Sequence, residues 1–194
     1  MNANRILGAK GIGQGSLWQG GVRDTAPQFV RGAFDCVVFT ALEFQPMPTQ
    51  VDMLKPCEVL MHPFDDCELT TTHLRQAIYL ANRVARRVRD GKHVLVTCHM
   101  GLNRSGLVVA LAAHQLTGLS GEQIVRRIQL RREGALSNRS FADAIRRIQS
   151  TKRVPHAELG NYISTTPGLA NAFITVLKPL PRASEWCMRT VNRV

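Results

Sequence analysis

The segment spanning residues 93–116 constrains the fold more than any other part of this 194-residue chain. Residues 93–97 are a short run of strand-forming side chains, and residues 107–116 are apolar on nearly every side of a helix. The first run predicts a strand, and the second predicts a helix buried in the core. Residues 98–106 lie between them and contain Gly101, which permits a tight loop. The segment therefore predicts a strand, a loop and a buried helix in succession.

Other segments continue this alternation of strands and helices. Strands are predicted at residues 16–20, as a short edge strand, and at residues 35–40 and 58–61. Helices are predicted at residues 73–89, at residues 120–132 behind a Ser120/Gln123 capping box, and after a cap at Ser137 or Asn138. Such alternation indicates an α/β domain with a sheet packed between helices.

Three regions follow from changes of pattern along the chain. Residues 1–15 are rich in glycine and are expected to be irregular. Residues 16–154 form the α/β domain. Residues 155–194 form an extension whose role the sequence leaves open, because prolines interrupt it and only residues 169–177 fit a helix.

Residues 98–106 read Cys-His-Met-Gly-Leu-Asn-Arg-Ser-Gly, an order suited to nucleophilic attack on a phosphate ester. A cysteine attacks as its thiolate, which a helix N-terminus and nearby cations stabilise. Arg104 supplies a planar guanidinium for two phosphate oxygens, and Ser105 can donate a hydrogen bond to the sulfur of Cys98. Backbone N–H groups can form an anion-binding nest above the following helix. We expect these groups to come from His99, Met100, Gly101, Leu102, Asn103 and Arg104.

The charge of the chain also suits an anionic substrate. The formal net charge is +11, and residues 75–153 hold 16 of the 25 basic residues but only 4 of the 14 acidic ones. This field attracts anions without identifying them.

The cysteines are odd in number, no apolar run is long enough to span a bilayer, and the N-terminus has no apolar signal segment. We therefore expect an intracellular, cytoplasmic protein without a membrane span, and its oligomeric state stays open.

The loop and the order of elements around it, over about residues 16–150, resemble the cysteine-dependent dual-specificity branch of the protein tyrosine phosphatase family. The resemblance implies a central, mostly parallel sheet flanked by helices, with the loop at the C-terminal end of a strand. It also implies hydrolysis of phosphotyrosine and phosphoserine/threonine in phosphoproteins through a phosphocysteine intermediate, without a metal or another cofactor. An aspartic acid on an earlier loop donates the proton in that family. Asp66 lies 32 residues before Cys98 and Asp65 lies 33 before it, and we favour Asp66.

Some positions depart from the family pattern and keep alternatives open. Thr97 stands where the family usually has histidine before the nucleophile. Asn103 and Gly106 are reminiscent of the branch that removes phosphates from RNA 5′ ends, so an RNA 5′-tri- or diphosphatase is the main alternative. A catalytically weak phosphate-binding module is a second alternative. A nucleic-acid-binding protein is a third, which the scarcity of aromatic residues in the arginine-rich helices disfavours.

Overall fold

The computed structural model describes residues 3–8, 15–44 and 48–151, and every element named below lies in those ranges. The strands are β1 (Asn4–Leu7), β2 (Ser16–Gly21), β3 (Cys36–Phe39), β4 (Glu58–Met61) and β5 (His93–Cys98). The helices are α1 (Pro27–Val30), α2 (Pro48–Met53), α3 (Thr71–Arg89), α4 (Arg104–Thr117), α5 (Gly121–Arg131) and α6 (Arg139–Arg146). Short 3₁₀ segments, Val22–Thr25 and Leu42–Phe44, follow β2 and β3.

The described strands form one sheet in the order β1-β2-β5-β3-β4. β5 lies in the middle, parallel to β2 on one side and to β3 on the other, and β4 is parallel to β3. β1 runs antiparallel to β2. The predicted α/β fold with a mostly parallel sheet is confirmed. Because β2, β3 and β5 are parallel, their C-terminal ends lie at one edge of the sheet, where Gly21 pairs with Cys98.

The N-terminal segment differs from the expectation. Residues 1–15 are predicted to be irregular, but β1 forms within them. Four residues are too few to show a strand periodicity, and contacts distant in sequence stabilise this strand. Ile6 and Leu7 are buried, and the Ile6 carbonyl accepts a hydrogen bond from Arg127 Nε at 3.4 Å. As a result β2 is an interior strand and not the predicted edge strand.

The helix after β5 is buried at the centre of the fold, as predicted. Residues 104–113 of α4 are buried, and the helix packs against α3, β2 and β5. α3 contributes one apolar face, whose buried residues are Ala77, Ile78, Leu80, Ala81, Val84, Ala85 and Val88. Burial of a valine or leucine contributes about 1.5–3 kcal/mol relative to its exposure. This packing therefore fixes the direction of α4 and of the loop at its N-terminus.

The helix caps were visible in the sequence and are confirmed. Ser120 accepts a hydrogen bond from the backbone N–H of Gln123, whose side chain accepts from Ser120 N at 3.0 Å. Of the two candidates before α6, Asn138 is the cap. α3 begins at Thr71, slightly earlier than predicted, because the side chain of Thr70 caps it.

Some predictions fall on residues outside the described ranges. These are the extension at residues 155–194 and its helix at residues 169–177. Within the described ranges, no helix is long and apolar enough to cross a membrane.

Candidate active site

The Cys98 loop, residues 98–104, joins the end of β5 to the start of α4. Its carbonyl groups accept hydrogen bonds from the surrounding scaffold. The pairs are Val22 N to His99 O at 2.9 Å, Arg132 Nη2 to Met100 O at 2.9 Å, Gln19 Nε2 to Gly101 O at 2.9 Å, and Leu136 N to Leu102 O at 3.2 Å. The backbone N–H groups of residues 100–103 donate to no described residue. With the carbonyls held outward, these N–H groups turn toward the inside of the loop, as in an anion-binding nest.

Gln19 is a structural support of the loop that the sequence did not reveal. Its side chain is fully buried in β2, and its Oε1 has no hydrogen-bond partner among the described residues. The amide nitrogen donates to Gly101 O and also to Leu102 O at 3.2 Å. Gln19 therefore holds the carbonyl groups of two consecutive loop residues.

Gly101 allows the loop to approach β2 closely. Its φ angle is 72°, in the left-handed region that favours glycine. A Cβ atom at this position would lie 2.4 Å from the carbonyl carbon of Gly20. Both the backbone angle and the close contact therefore require glycine, as the sequence predicted for a tight loop.

Cys98 and Ser105 lie together at the floor of the loop. The distance from Cys98 Sγ to Ser105 Oγ is 3.3 Å, and both side chains are buried. Ser105 is in the first turn of α4, so the sulfur also lies near the positive end of that helix. A hydroxyl and a helix N-terminus both stabilise a thiolate.

Arg104 is buried and forms an ion pair with Glu43. Its Nη1 donates to Glu43 Oε2 at 2.9 Å and its Nη2 donates to Glu43 Oε1 at 2.6 Å. These hydrogen bonds occupy the end of the guanidinium fork. Arg104 Nε, on the side of the fork, is buried and has no hydrogen-bond partner among the described residues. Glu43 thus orients the arginine and leaves a buried donor for a ligand.

Glu43 is a functional candidate that the sequence reasoning missed. It lies in the 3₁₀ segment after β3, a parallel neighbour of β5, at the edge where α/β proteins bind ligands. Its position just after the strand predicted at residues 35–40 was the sequence feature that could have identified Glu43. The hydrogen bonds from Arg104 lower the pKa of Glu43 from its usual 4.5 to about 2, so the carboxylate is charged at neutral pH.

The acid loop, residues 62–70, brings Asp66 to the Cys98 loop. Asp66 Oδ2 accepts a hydrogen bond from Asn103 Nδ2 at 3.1 Å, and Oδ1 accepts from Asn138 Nδ2 at 2.9 Å. Asp65 is exposed and makes no such contact with the described residues. The structure therefore brings Asp66, and not Asp65, to the loop.

The departures from the family pattern have roles within the protein. The side chain of Asn103 binds Asp66 through its nitrogen, and its oxygen accepts from Ser137 Oγ at 3.1 Å. Gly106 gives Gln19 space, because a Cβ there would lie 3.2 Å from Gln19 Nε2. Thr97 Oγ1 donates to Val38 O at 3.0 Å, so the hydroxyl is directed to the neighbouring strand and not to the sulfur.

Comparisons with known proteins bear on this fold. No protein-family model matches the chain, and neither does any curated protein. Tk-PTP in its active form is 26% identical, over 73% of this chain and 92% of that chain, with a TM-score of 0.58. The PTP-2 phosphatase of Cydia pomonella is 20% identical, over 74% and 88%, with a TM-score of 0.60. Human DUSP28 is 19% identical, over 75% and 93%, with a TM-score of 0.59.

These similarities extend over about three quarters of this chain and over most of each of the other three chains. The two structures of lower identity support the fold alone. The three similarities confirm the fold that the resemblance drawn from the sequence implied. The chain has the protein tyrosine phosphatase fold.

Proposed function

We propose that this chain is a phosphatase that hydrolyses the phosphomonoesters of phosphotyrosine and phosphoserine/threonine in proteins. The observation that carries the proposal is that one loop combines Cys98 in contact with Ser105, backbone N–H groups without a described acceptor, and a buried Nε of Arg104 that lacks a partner among the described residues. A buried N–H group without a partner is unfavourable unless a ligand satisfies it. A phosphate oxygen suits this donor and the N–H groups of the Cys98 loop, and the cysteine lies beneath them.

The proposed reaction has two displacements. In the first, the Cys98 thiolate forms an S–P bond as the ester P–O bond breaks, and protonated Asp66 gives its proton to the leaving oxygen. In the second, ionised Asp66 takes a proton from water, whose oxygen forms a P–O bond as the S–P bond breaks. Ser105 Oγ, 3.3 Å from the sulfur, donates to it as it leaves. Arg104 and the loop N–H groups stabilise the charge on the phosphoryl oxygens throughout.

Exposed apolar side chains beside the site support a protein substrate. Leu42, next to Glu43 in the chain, is 66% exposed, and Met100 in the Cys98 loop is 62% exposed. Such groups suit contact with the side chain that carries the phosphate in a peptide better than contact with a polyphosphate. A highly phosphorylated headgroup is better matched by lysines, which the Cys98 loop lacks.

An RNA 5′-phosphatase is the second candidate. The basic half of the chain favours it, since residues 75–153 carry the whole excess of positive charge. Asn103 and Gly106 no longer favour it, because hydrogen bonding to Asp66 and packing on Gln19 account for them.

A substrate panel tests the proposed class of substrate. It compares p-nitrophenyl phosphate, phosphotyrosine and phosphothreonine peptides, a phosphoinositide and a 5′-triphosphorylated RNA. We expect the phosphopeptides to give the highest kcat/KM of the biological substrates. A higher value for the RNA would replace the substrate class with the RNA alternative. No turnover of any substrate would leave a phosphate-binding module.

The identity of the acid is tested by Asp66→Asn and Asp65→Asn. A proton donor matters for a poor leaving group such as the side-chain oxygen of a phosphopeptide, and little for p-nitrophenolate. Asp66→Asn should therefore lower phosphopeptide turnover about a hundredfold and p-nitrophenyl phosphate turnover far less. It should also flatten the alkaline limb of the pH–rate profile.

Asp65→Asn is the matched control, because it removes the same charge from the adjacent, exposed position. We expect only a few-fold loss from it, of similar size on both substrates. The reverse ranking would assign the acid to Asp65. Equal losses on both substrates in both variants would mean that neither aspartate donates the proton.

A further inference from the structure

The acid loop is fastened to the N-terminus of α6 by hydrogen bonds that the two displacement steps do not use. Asn138 Nδ2 donates to Asp66 Oδ1 and to the carbonyl of Cys67, both at 2.9 Å. The backbone N–H of Leu69 donates to Ser140 Oγ at 3.0 Å. The acid loop is thus attached at three successive points to residues that are about 70 positions away in the chain.

Asn138 uses its two side-chain atoms for different purposes. Its oxygen accepts from the backbone N–H of Phe141 at 3.3 Å and from Ser140 Oγ at 2.8 Å, which caps α6. Aspartate, serine or threonine would also supply an acceptor for a cap. The nitrogen of an asparagine adds a donor, and here that donor faces Asp66. The presence of asparagine at this cap is therefore explained by Asp66 and not by the helix alone.

Asn103 completes the arrangement from the other side. Its Nδ2 donates to Asp66 Oδ2 at 3.1 Å, and its Oδ1 accepts from the backbone N–H of Asn138 at 2.9 Å. Each oxygen of Asp66 is therefore held by one amide, and the two amides belong to different elements that are hydrogen-bonded to each other. Two such bonds fix the plane of a carboxyl group that otherwise rotates. A protonated carboxyl accepts both bonds and still has one O–H to donate.

We propose that Asn138 is a positioning residue for proton transfer, whose amide holds the carboxyl group of Asp66 in the orientation from which it reaches the leaving oxygen. The inference rests on the proposed function, in which Asp66 is the acid. The competing explanation is that Asn138 only caps α6 and anchors the loop. The two explanations differ in what happens to the pH dependence of the rate.

Asn138→Asp separates them. Aspartate keeps the helix cap but places an oxygen where the amide donates to Asp66. We expect turnover of a phosphotyrosine peptide at its pH optimum to fall about tenfold, as for the loss of one hydrogen bond that orients the carboxyl group. Turnover of p-nitrophenyl phosphate should stay within about threefold, since it needs little proton donation. The alkaline limb of the peptide pH–rate profile should move to higher pH, because a second carboxylate disfavours loss of the proton from Asp66.

Two further variants control this experiment. Asn82→Asp makes the same change on the exposed surface of α3, where the Asn82 oxygen accepts from Gln115 Nε2 at 2.7 Å. It should leave both the rate and the pH profile unchanged. Asn138→Ser keeps a capping acceptor and removes the donor without adding charge. It should reproduce the loss on the peptide and move the alkaline limb less than Asn138→Asp does, because it adds no negative charge beside Asp66. Thermal melting identifies any variant that fails to fold. If Asn138→Asp fails to fold, the comparison of the two substrates in Asn138→Ser tests the inference.

An unmoved alkaline limb in Asn138→Asp would overturn the inference while leaving catalysis by Cys98 intact. Equal losses of turnover on the peptide and on p-nitrophenyl phosphate in Asn138→Ser would also overturn the inference, because they would show that Asn138 has only a structural role. Absence of turnover in the unsubstituted chain is a distinct result, which would overturn the proposed function and this inference with it.

Discussion

Cys98→Ser is expected to abolish turnover while the protein still binds phosphate. The serine hydroxyl is not ionised near neutral pH and does not replace the thiolate as nucleophile, so the rate should fall below roughly one per cent. Anion binding depends on the loop N–H groups and on Arg104, which the substitution leaves in place. A serine hydroxyl carries no negative charge that would repel the anion, so inorganic phosphate should bind as tightly or more tightly.

The measurement pairs p-nitrophenyl phosphate turnover with calorimetric titration of inorganic phosphate. Cys57→Ser is the matched control, because Cys57 lies just before β4 and its Sγ contacts Glu58 O, at the other end of the sheet from Cys98. Cys57→Ser should keep its turnover of p-nitrophenyl phosphate. Turnover above a few per cent in Cys98→Ser would rule out covalent catalysis by Cys98. Loss of both turnover and phosphate binding would show that the sulfur is needed to form the nest itself.

The parts of the site that could be predicted lie in one stretch of sequence. Strand, glycine loop and apolar helix follow one another between residues 93 and 117, so neighbouring residues alone indicate where Cys98, Arg104 and Ser105 meet. Asp66 is more distant, and the family resemblance was needed to single it out. In the structure it reaches the loop through Asn103, 37 positions further along the chain.

The parts that could not be predicted come from long-range packing. Arg104 meets Glu43 across 61 positions, Gln19 meets the loop across 82, and Asn138 meets Asp66 across 72. None of these residues lies in a local pattern that distinguishes it from an ordinary surface carboxylate, strand residue or helix cap. β1 is a further case. Its Asn4 side chain accepts from Arg132 Nη1 at 2.7 Å, so a strand of four residues helps to fix the arginine that holds Met100 O.

Arg104→Lys is expected to lower kcat/KM about a hundredfold or more, although the charge is kept. Arginine meets Glu43 with its two Nη atoms and retains Nε for a ligand. The single ammonium group of lysine cannot hold a carboxylate with one set of N–H groups and a phosphoryl group with another, as the planar guanidinium can. We expect the loss to appear in phosphate affinity as well as in rate, since the proposed role of the arginine is to hold both the bound phosphate and the transition state.

Arg87→Lys provides the matched control. Arg87 also holds a glutamate, Glu58, with two hydrogen bonds, but Glu58 begins β4 at the opposite end of the sheet from Cys98. The same exchange there should leave kcat/KM unchanged within about twofold, because it breaks a similar pair without touching the site. A near-normal rate in Arg104→Lys would show that Arg104 does not hold the phosphate.

Glu43→Gln then tests whether the ion pair orients Arg104. Glutamine keeps one acceptor for the guanidinium and loses the other, so a loss of about tenfold is expected, smaller than that of Arg104→Lys. Hydrogen bonding from Arg104 lowers the pKa of Glu43 from 4.5 to about 2, so the ion pair stabilises the fold above pH 4.5 and is lost as the pH falls through about 2. Between pH 5 and 8 Glu43 therefore stays charged, and Glu43→Gln should lower the rate by the same factor at every pH in that range. A factor that changes with pH would mean that Glu43 itself exchanges a proton during the reaction, which its ion pair with Arg104 opposes.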